Sequence, residues 1–353
     1  GINGMGSWAS PDIIYCTSFG YFKPNNPNYG THGLNGTIST ANLASIASYT
    51  GIAGNSNWYA GTNHPLLKWA YPISILGEQT LGTNEDPFLL YNYAQWNAIG
   101  DNENLMTANF KLIDNIDFSS QTFIPIGSAV SPFFGTFMGN NKTIKNIVNY
   151  SNATGPIGIF RSLGAGTSGP AAQIEHRDEN TNTSYKLTLE NINFTQNSAS
   201  SPAGILVGEV NDGATDQFKA IKIKNVEIIN STLNGSGSSA ALGGLIGQLN
   251  VQNPGTQISN IISDVTIGNC NTGNIGGVIG SIAQIGAPVS VITFEYWKSF
   301  SDINCASTGN TNVGGMVGIA NGALLRFNGL LFDGSVTGAT SVGGVFGQLT
   351  GES

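Results

Sequence analysis

The residues able to do chemistry are few and scattered. Three histidines, His32, His64 and His176, fall in no HExxH pattern, so the sequence holds no zinc-peptidase signature. The densest run of charge is Glu175-His176-Arg177-Asp178-Glu179. Clustered carboxylates of this kind serve acid–base work on sugars, but a solvated loop between strands explains them more simply. Asp114 and Asp117 form a second acidic pair, expected to cap a turn. Asn211–Asp216, "NDGATD", offers oxygen ligands yet lacks the distal glutamate of a calcium loop. Trp58, Tyr59, Trp69 and Trp297 are candidates for stacking on sugars, with core packing the commoner role for such side chains. No Ser/His/Asp or Cys/His set is apparent. No catalytic residue, metal ligand or cofactor site is therefore expected.

What recurs instead is glycine. "LGGLIGQ" at Leu242, "IGGVIGS" at Ile275, "VGGMVGI" at Val313 and "VGGVFGQ" at Val342 share one shape, and "AGILVGE" at Ala203 is a looser copy. The paired glycines are Gly243 and Gly244, Gly276 and Gly277, Gly314 and Gly315, Gly343 and Gly344. The closing glycines are Gly208, Gly247, Gly280, Gly318 and Gly347, spaced by 39, 33, 38 and 29 residues. A period of this length marks a repeat architecture. Paired glycines permit a sharp turn and close backbone approach. The aliphatics between them, such as Leu245 and Ile246 or Val278 and Ile279, are expected to fill the interior.

Before most signatures lies a β-rich stretch. In residues 185–195 and 220–233 apolar and polar residues alternate: Leu187, Leu189, Ile192, Phe194, then Ile221, Ile223, Val226, Ile228. The alternation slips by one at Asn191 and Asn225. Asparagine tolerates left-handed backbone angles, so each slip predicts a corner between two short strands. Stacked units of this design predict an all-β fold, a right-handed parallel β-helix (a β-solenoid) with rungs about 4.8 Å apart.

Residues 76–119 have another texture and predict a cap with one helix near residues 91–99, built on Tyr93, Trp96 and Ile99. Residues 120–353 are the solenoid. Residues 1–75, rich in Gly, Asn, Tyr and Trp, predict a small β-rich docking unit.

The 353 residues carry a net charge of -8 and only 10% charged side chains. Nothing here would neutralise a phosphate backbone, which excludes a nucleic-acid partner. No apolar run is long enough for a membrane span. Cys16, Cys270 and Cys305 show no CxxC spacing. Cys270 and Cys305 lie one repeat apart and stack on adjacent rungs, either bonded or, more commonly, as two small buried side chains. Eight N-x-S/T sequons are what 41 asparagines yield by chance, so they decide nothing about glycosylation.

Residues "GTNEDPFLLYNYAQWNAI", "NFKLIDNIDF", "FIPIGSAVSPFFGTFMGNNKTIKNIVNY" and the four GGxxG repeats resemble the proteins carrying the GLUG motif. These include adhesin-like surface chains and the non-catalytic N-terminal regions of immunoglobulin-A peptidases. Met138 stands where that family has an acid, within "GTFDGNGHTI". The resemblance implies a parallel β-helix on a cell surface and implies no reaction. The expectation is a non-catalytic, extracellular, structural or adhesive segment. Its partners are copies or neighbouring repeat units, docked head to tail from the Gly347 end onto residues 1–75. The rival is a glycan-binding or glycan-cleaving β-helix, with surface glycans as partner.

Overall fold

The computed structural model describes residues 82–350 apart from 101, 153, 166–169, 179–182, 213–219, 236–240, 254, 271–272, 286–290, 306–310, 323–324 and 339. Before residue 82 it describes two short strands, Trp58–Tyr59 and Leu66–Leu67, paired antiparallel. The chain divides into two compact units, Gly1–Gln79 and Thr80–Ser353. The rest of the expected docking unit lies outside the described residues.

The second unit is β-structure in three parallel sheets. In the first, the strands Lys222–Gly235, Gln257–Gly268, Ile292–Ser299 and Leu325–Phe332 pair in chain order. The second stacks the short strands Ala203–Gly204, Ala241–Gly243, Gly273–Gly276, Thr311–Gly314 and Ser341–Gly343. The third stacks Phe160–Gly164, Val207–Asp212, Ile246–Val251, Ile279–Gln284, Val317–Asn321 and Phe346–Thr350. Each strand therefore pairs with the equivalent strand one repeat away. Among the described residues no helix is long and apolar enough to cross a membrane.

The alternation slips because of backbone angle. Asn191, Asn225 and Asn260 have φ of 53, 57 and 55°, the left-handed region that asparagine tolerates. Such a residue redirects the chain and resets which side chains face inward. Ile223, Val226, Ile228 and Leu233 are accordingly all buried on one bent strand. The corner amides also bond along the stack. Asn260 Nδ2 donates to Asn225 Oδ1 at 3.0 Å, and Asn191 Nδ2 to Asn146 Oδ1 at 2.7 Å. Similar rungs join Asn269 to Asn234, Asn250 to Asn211 and Asn312 to Asn274.

The repeat glycines fall into three columns. Gly204, Gly243, Gly276, Gly314 and Gly343 are register partners in sequence. Gly244, Gly277, Gly315 and Gly344 follow beside them. Gly208, Gly247, Gly280, Gly318 and Gly347 occupy the third, between paired strand residues. None has a left-handed φ; among described glycines that is confined to Gly82, Gly127, Gly273 and Gly329. Close approach rather than a left-handed φ thus demands them, both within the bend, where a Cβ on Gly243 would meet the Ile246 carbonyl oxygen, and between repeats. A Cβ on Gly243 would lie 2.6 Å from the Gly280 nitrogen, and one on Gly280 2.7 Å from the Leu242 nitrogen. The second column also lies under buried serines: Ser263 Oγ donates to Gly277 O at 2.6 Å and Ser299 Oγ to Gly315 O at 2.8 Å. Leu245, Ile246, Val278, Ile279, Met316 and Val317 are fully buried.

The helix covers Tyr93–Gly100. It begins later than the apolar spacing suggests because the Asn92 side chain accepts the Gln95 N–H at 3.1 Å and caps it. Trp96 and Ile99 are buried, whereas Tyr93 stands at the rim, 37% exposed. The Trp96 ring packs on Phe118, Phe123, Phe137 and Phe160, and its Nε1 donates to Ile124 O at 2.9 Å.

Candidate functional site

The first sheet carries one corner column that changes character along the stack. Asn141, Lys186, Asn225, Asn260, Tyr296 and Gly329 each precede residues paired in register, so they lie one above another. Asn225, Asn260 and Gly329 suit a left-handed backbone. Tyr296 does not, yet its φ is 59°. A bulky L-residue held there costs about 1–3 kcal/mol. The residue is 57% exposed, and ring atoms pass over Gly329, where a Cβ would meet Cδ1 at 3.0 Å and Cε1 at 3.4 Å. The next residue, Trp297, points the other way. It is fully buried, with Nε1 donating to Ile258 O at 2.9 Å. Trp297 therefore takes the core role expected as the commoner one rather than stacking on a sugar: the alternation at the corner sends it into the core and its neighbour outward.

Tyr296 forms one wall of an outward groove of about 300 Å³. Asn225 and Asn260 line it, and their ladder bond uses the Asn260 Nδ2 donor and the Asn225 Oδ1 acceptor, not Asn225 Nδ2 or Asn260 Oδ1. Ile262 provides an apolar patch on the same face. The charged groups are Lys186 and Glu227, which form an ion pair, and Lys298, which is exposed with no ion pair among the described residues. Ser184 adds a hydroxyl from the antiparallel hairpin His176–Asp178 and Thr183–Tyr185 that interrupts the parallel stack.

That hairpin contains most of the acidic run singled out above. Glu175, just before it, is held by Lys222 at 3.7 Å and Lys224 at 3.0 Å, so it serves an ion-pair network on the sheet surface. The side chains of His176, Arg177 and Asp178, and residue Glu179, lie outside the described residues, as do His32, His64 and the side chains of Trp58, Tyr59 and Trp69. Asp117 caps its turn. Its Oδ1 accepts the Ser119 N–H at 2.9 Å, the Ser119 hydroxyl at 2.7 Å and Asn146 Nδ2 at 2.9 Å. The Asn146 and Ser119 bonds, with Lys145 beside it, lower its pKa to about 2. Asp114 stays exposed nearby. Asp212 of "NDGATD" is fully buried and accepts from the Thr256 hydroxyl and the Ile221 N–H, which is a structural role. Asp216 of the same run lies outside the described residues. Among the described residues no three His, Cys, Asp or Glu side chains converge on a metal position.

Cys270 and Cys305 are joined in a disulfide, with Cα atoms 5.1 Å apart, rather than standing as two separate buried thiols. Adjacent rungs of one column bring the pair to bonding separation.

Tyr296 is not among the candidates that residue type and spacing single out. A signal for it exists all the same: the slip in "VITFEYWKSF" puts an aromatic at the position that Asn225 and Asn260 hold in the repeats before it.

No family model matches the chain, and no curated protein matches it. Among solved structures, the chain is similar to a Bacteroides ovatus protein described as a "putative immunoglobulin A1 protease". The two share 17% identity over 78% of this chain and 86% of that one, with a TM-score of 0.44. A likeness this distant carries no functional argument.

Proposed function

We propose that residues 80–353 form a right-handed parallel β-helix of the GLUG-motif kind, acting as a non-catalytic structural or adhesive segment of a surface protein. One observation carries this reading: in three sheets at once, each strand pairs in parallel with its equivalent one repeat away. Stacking of this kind supplies the core that a single rung cannot bury alone. The amide ladders satisfy the corner side chains without charge, in keeping with 10% charged residues. The disulfide favours an oxidising, extracellular setting.

The proposed partners are further rungs of the same kind. On the last described rung, Val342 and Leu349 are 47% and 62% exposed, while their register partners Val313 and Ala320 are fully buried. A further rung, from a second copy or a neighbouring repeat, would cover them. Size-exclusion chromatography with light scattering, and electron microscopy across a concentration series, test this. Elongated end-to-end assemblies are expected. Compact monomers at every concentration would remove the self-association.

A glycan-binding β-helix is the second reading, and the groove at Tyr296 favours its binding form over its cleaving form. Glycoside hydrolysis in general uses two carboxylates about 5–10 Å apart. Among the described residues that line the groove there is one carboxylate, Glu227, and it is tied to Lys186. Product release from polysaccharides that disappears in Glu227→Gln or Glu175→Gln would overturn the non-catalytic assignment.

A further inference from the structure

We infer that the groove beside Tyr296 is a carbohydrate-binding site selective for acidic sugars. Three observations point the same way. The first is backbone strain spent on exposure. Neighbouring rungs place Asn225, Asn260 and Gly329 at this corner, all compatible with a left-handed φ, while Tyr296 alone departs from that set at φ 59°. Residues held in disfavoured backbone regions cluster at ligand sites, because elsewhere an easier residue serves as well. Packing does not account for the tyrosine, since the residue is 57% exposed.

The second is preorganisation. Gly329 leaves room for the ring at the next rung, with Cδ1 and Cε1 close to where a Cβ there would lie. The ring is thereby set as a wall of the groove. An aromatic face takes up the C–H face of a pyranose, and the remaining polar atoms must then match hydroxyls. The Asn225–Asn260 bond uses one donor and one acceptor, so Asn225 Nδ2 and Asn260 Oδ1 remain outside it as a donor and an acceptor for sugar hydroxyls among the lining residues.

The third is charge. Glu227 is neutralised by Lys186, but Lys298 is exposed with no ion pair among the described residues. In a chain of net charge -8 an exposed lysine lining the groove beside Tyr296 selects a carboxylate-bearing sugar over a neutral one. Overall repulsion keeps the interaction moderate and salt-sensitive.

The test is calorimetric titration of the full chain with tetragalacturonate and, as neutral control, maltotetraose at low salt. Saturable binding of the acidic tetramer, with weaker or absent binding of the neutral one, is expected. Tyr296→Asn copies the adjacent rungs, so it should fold with an unchanged or higher melting temperature while affinity falls about tenfold. Lys298→Gln should remove the preference for the acidic probe. No binding of the acidic probe by the parent overturns the proposal. So does equal affinity for both probes, unchanged affinity in Tyr296→Asn, or a lowered melting temperature in that variant, which would make the ring a packing element. Because this test reads binding alone, its failure leaves the stacking and self-association of the rungs standing.

Discussion

A single missing Cβ carries much of the repeat's order. At Gly277 an added Cβ would meet the Gly315 carbonyl and the Ser299 hydroxyl, with Ser301 Cβ 3.1 Å away. Backbone cannot step aside cheaply inside a close-packed interior. Gly277→Ala is expected to lose about 2–4 kcal/mol in chemical denaturation. Gly268 is a matched control: the nearest atom to its Cβ is Asn234 Oδ1 at 3.5 Å, and Gly268→Ala should change stability by less than about 1 kcal/mol. At the same scale Asp117 links stability to acid. Its folded pKa is lowered to about 2 from 3.8. The charged form is therefore favoured in the folded chain, and its contribution is present above pH 3.8 and lost as pH falls through about 2. The carboxylate is 45% exposed, so solvent screening holds that contribution below about 1 kcal/mol. Melts of the parent and of Asp117→Ala should differ above pH 4 and converge near pH 2.

The element that sets the shape of each unit is a strand bent at asparagine. The corner has two separable parts: a left-handed backbone and an amide bonded to the next rung. Asn260→Gly keeps the first and removes the second; Asn260→Ala removes both. Alanine should therefore cost about 1–2 kcal/mol and glycine clearly less, as read by thermal melting. Equal losses would place the energy in the Asn225–Asn260 bond instead of the backbone. The helix Tyr93–Gly100 works differently. Its lone buried indole closes the aromatic cluster of Phe118, Phe123, Phe137 and Phe160. Trp96→Ala should cost about 3–5 kcal/mol and loosen the first rungs selectively, which hydrogen exchange resolves by position.

At the scale of the whole second unit, each strand of the three sheets pairs with its equivalent one repeat away, so contacts run between neighbouring repeats and local clamps matter more than in a globular core. The Cys270–Cys305 bond is such a clamp, closing a separation of 35 residues between adjacent rungs. By loop-closure entropy, reduction should cost about 2–4 kcal/mol. The loss should appear as faster hydrogen exchange around residues 257–305, with the aromatic cluster at the cap unaffected. Uniform acceleration over the whole second unit would show that the rungs unfold as one cooperative block.

Periodicity and slip belong to the amino-acid sequence itself. The GGxxG spacing marks repeating units, and the change of alternation at Asn191 and Asn225 marks corners, because both follow from the two-residue period of a strand and from what asparagine tolerates at positive φ. Other properties required the chain to be stacked. What crowds each glycine is decided by the stack: an added Cβ on Gly243 meets the carbonyl of its own bend, and one on Gly244 or Gly277 meets backbone of the neighbouring repeat. Whether Cys270 and Cys305 bond depends on the rise between rungs, which no spacing along the chain states. The direction of Tyr296 and Trp297 is the sharpest case. The two aromatics are adjacent and chemically alike, yet a left-handed corner turns one into the core and the other out into a groove that residues more than a hundred positions apart complete. Composition and period do not contain that sorting, because it arises only when successive corners lie in one column.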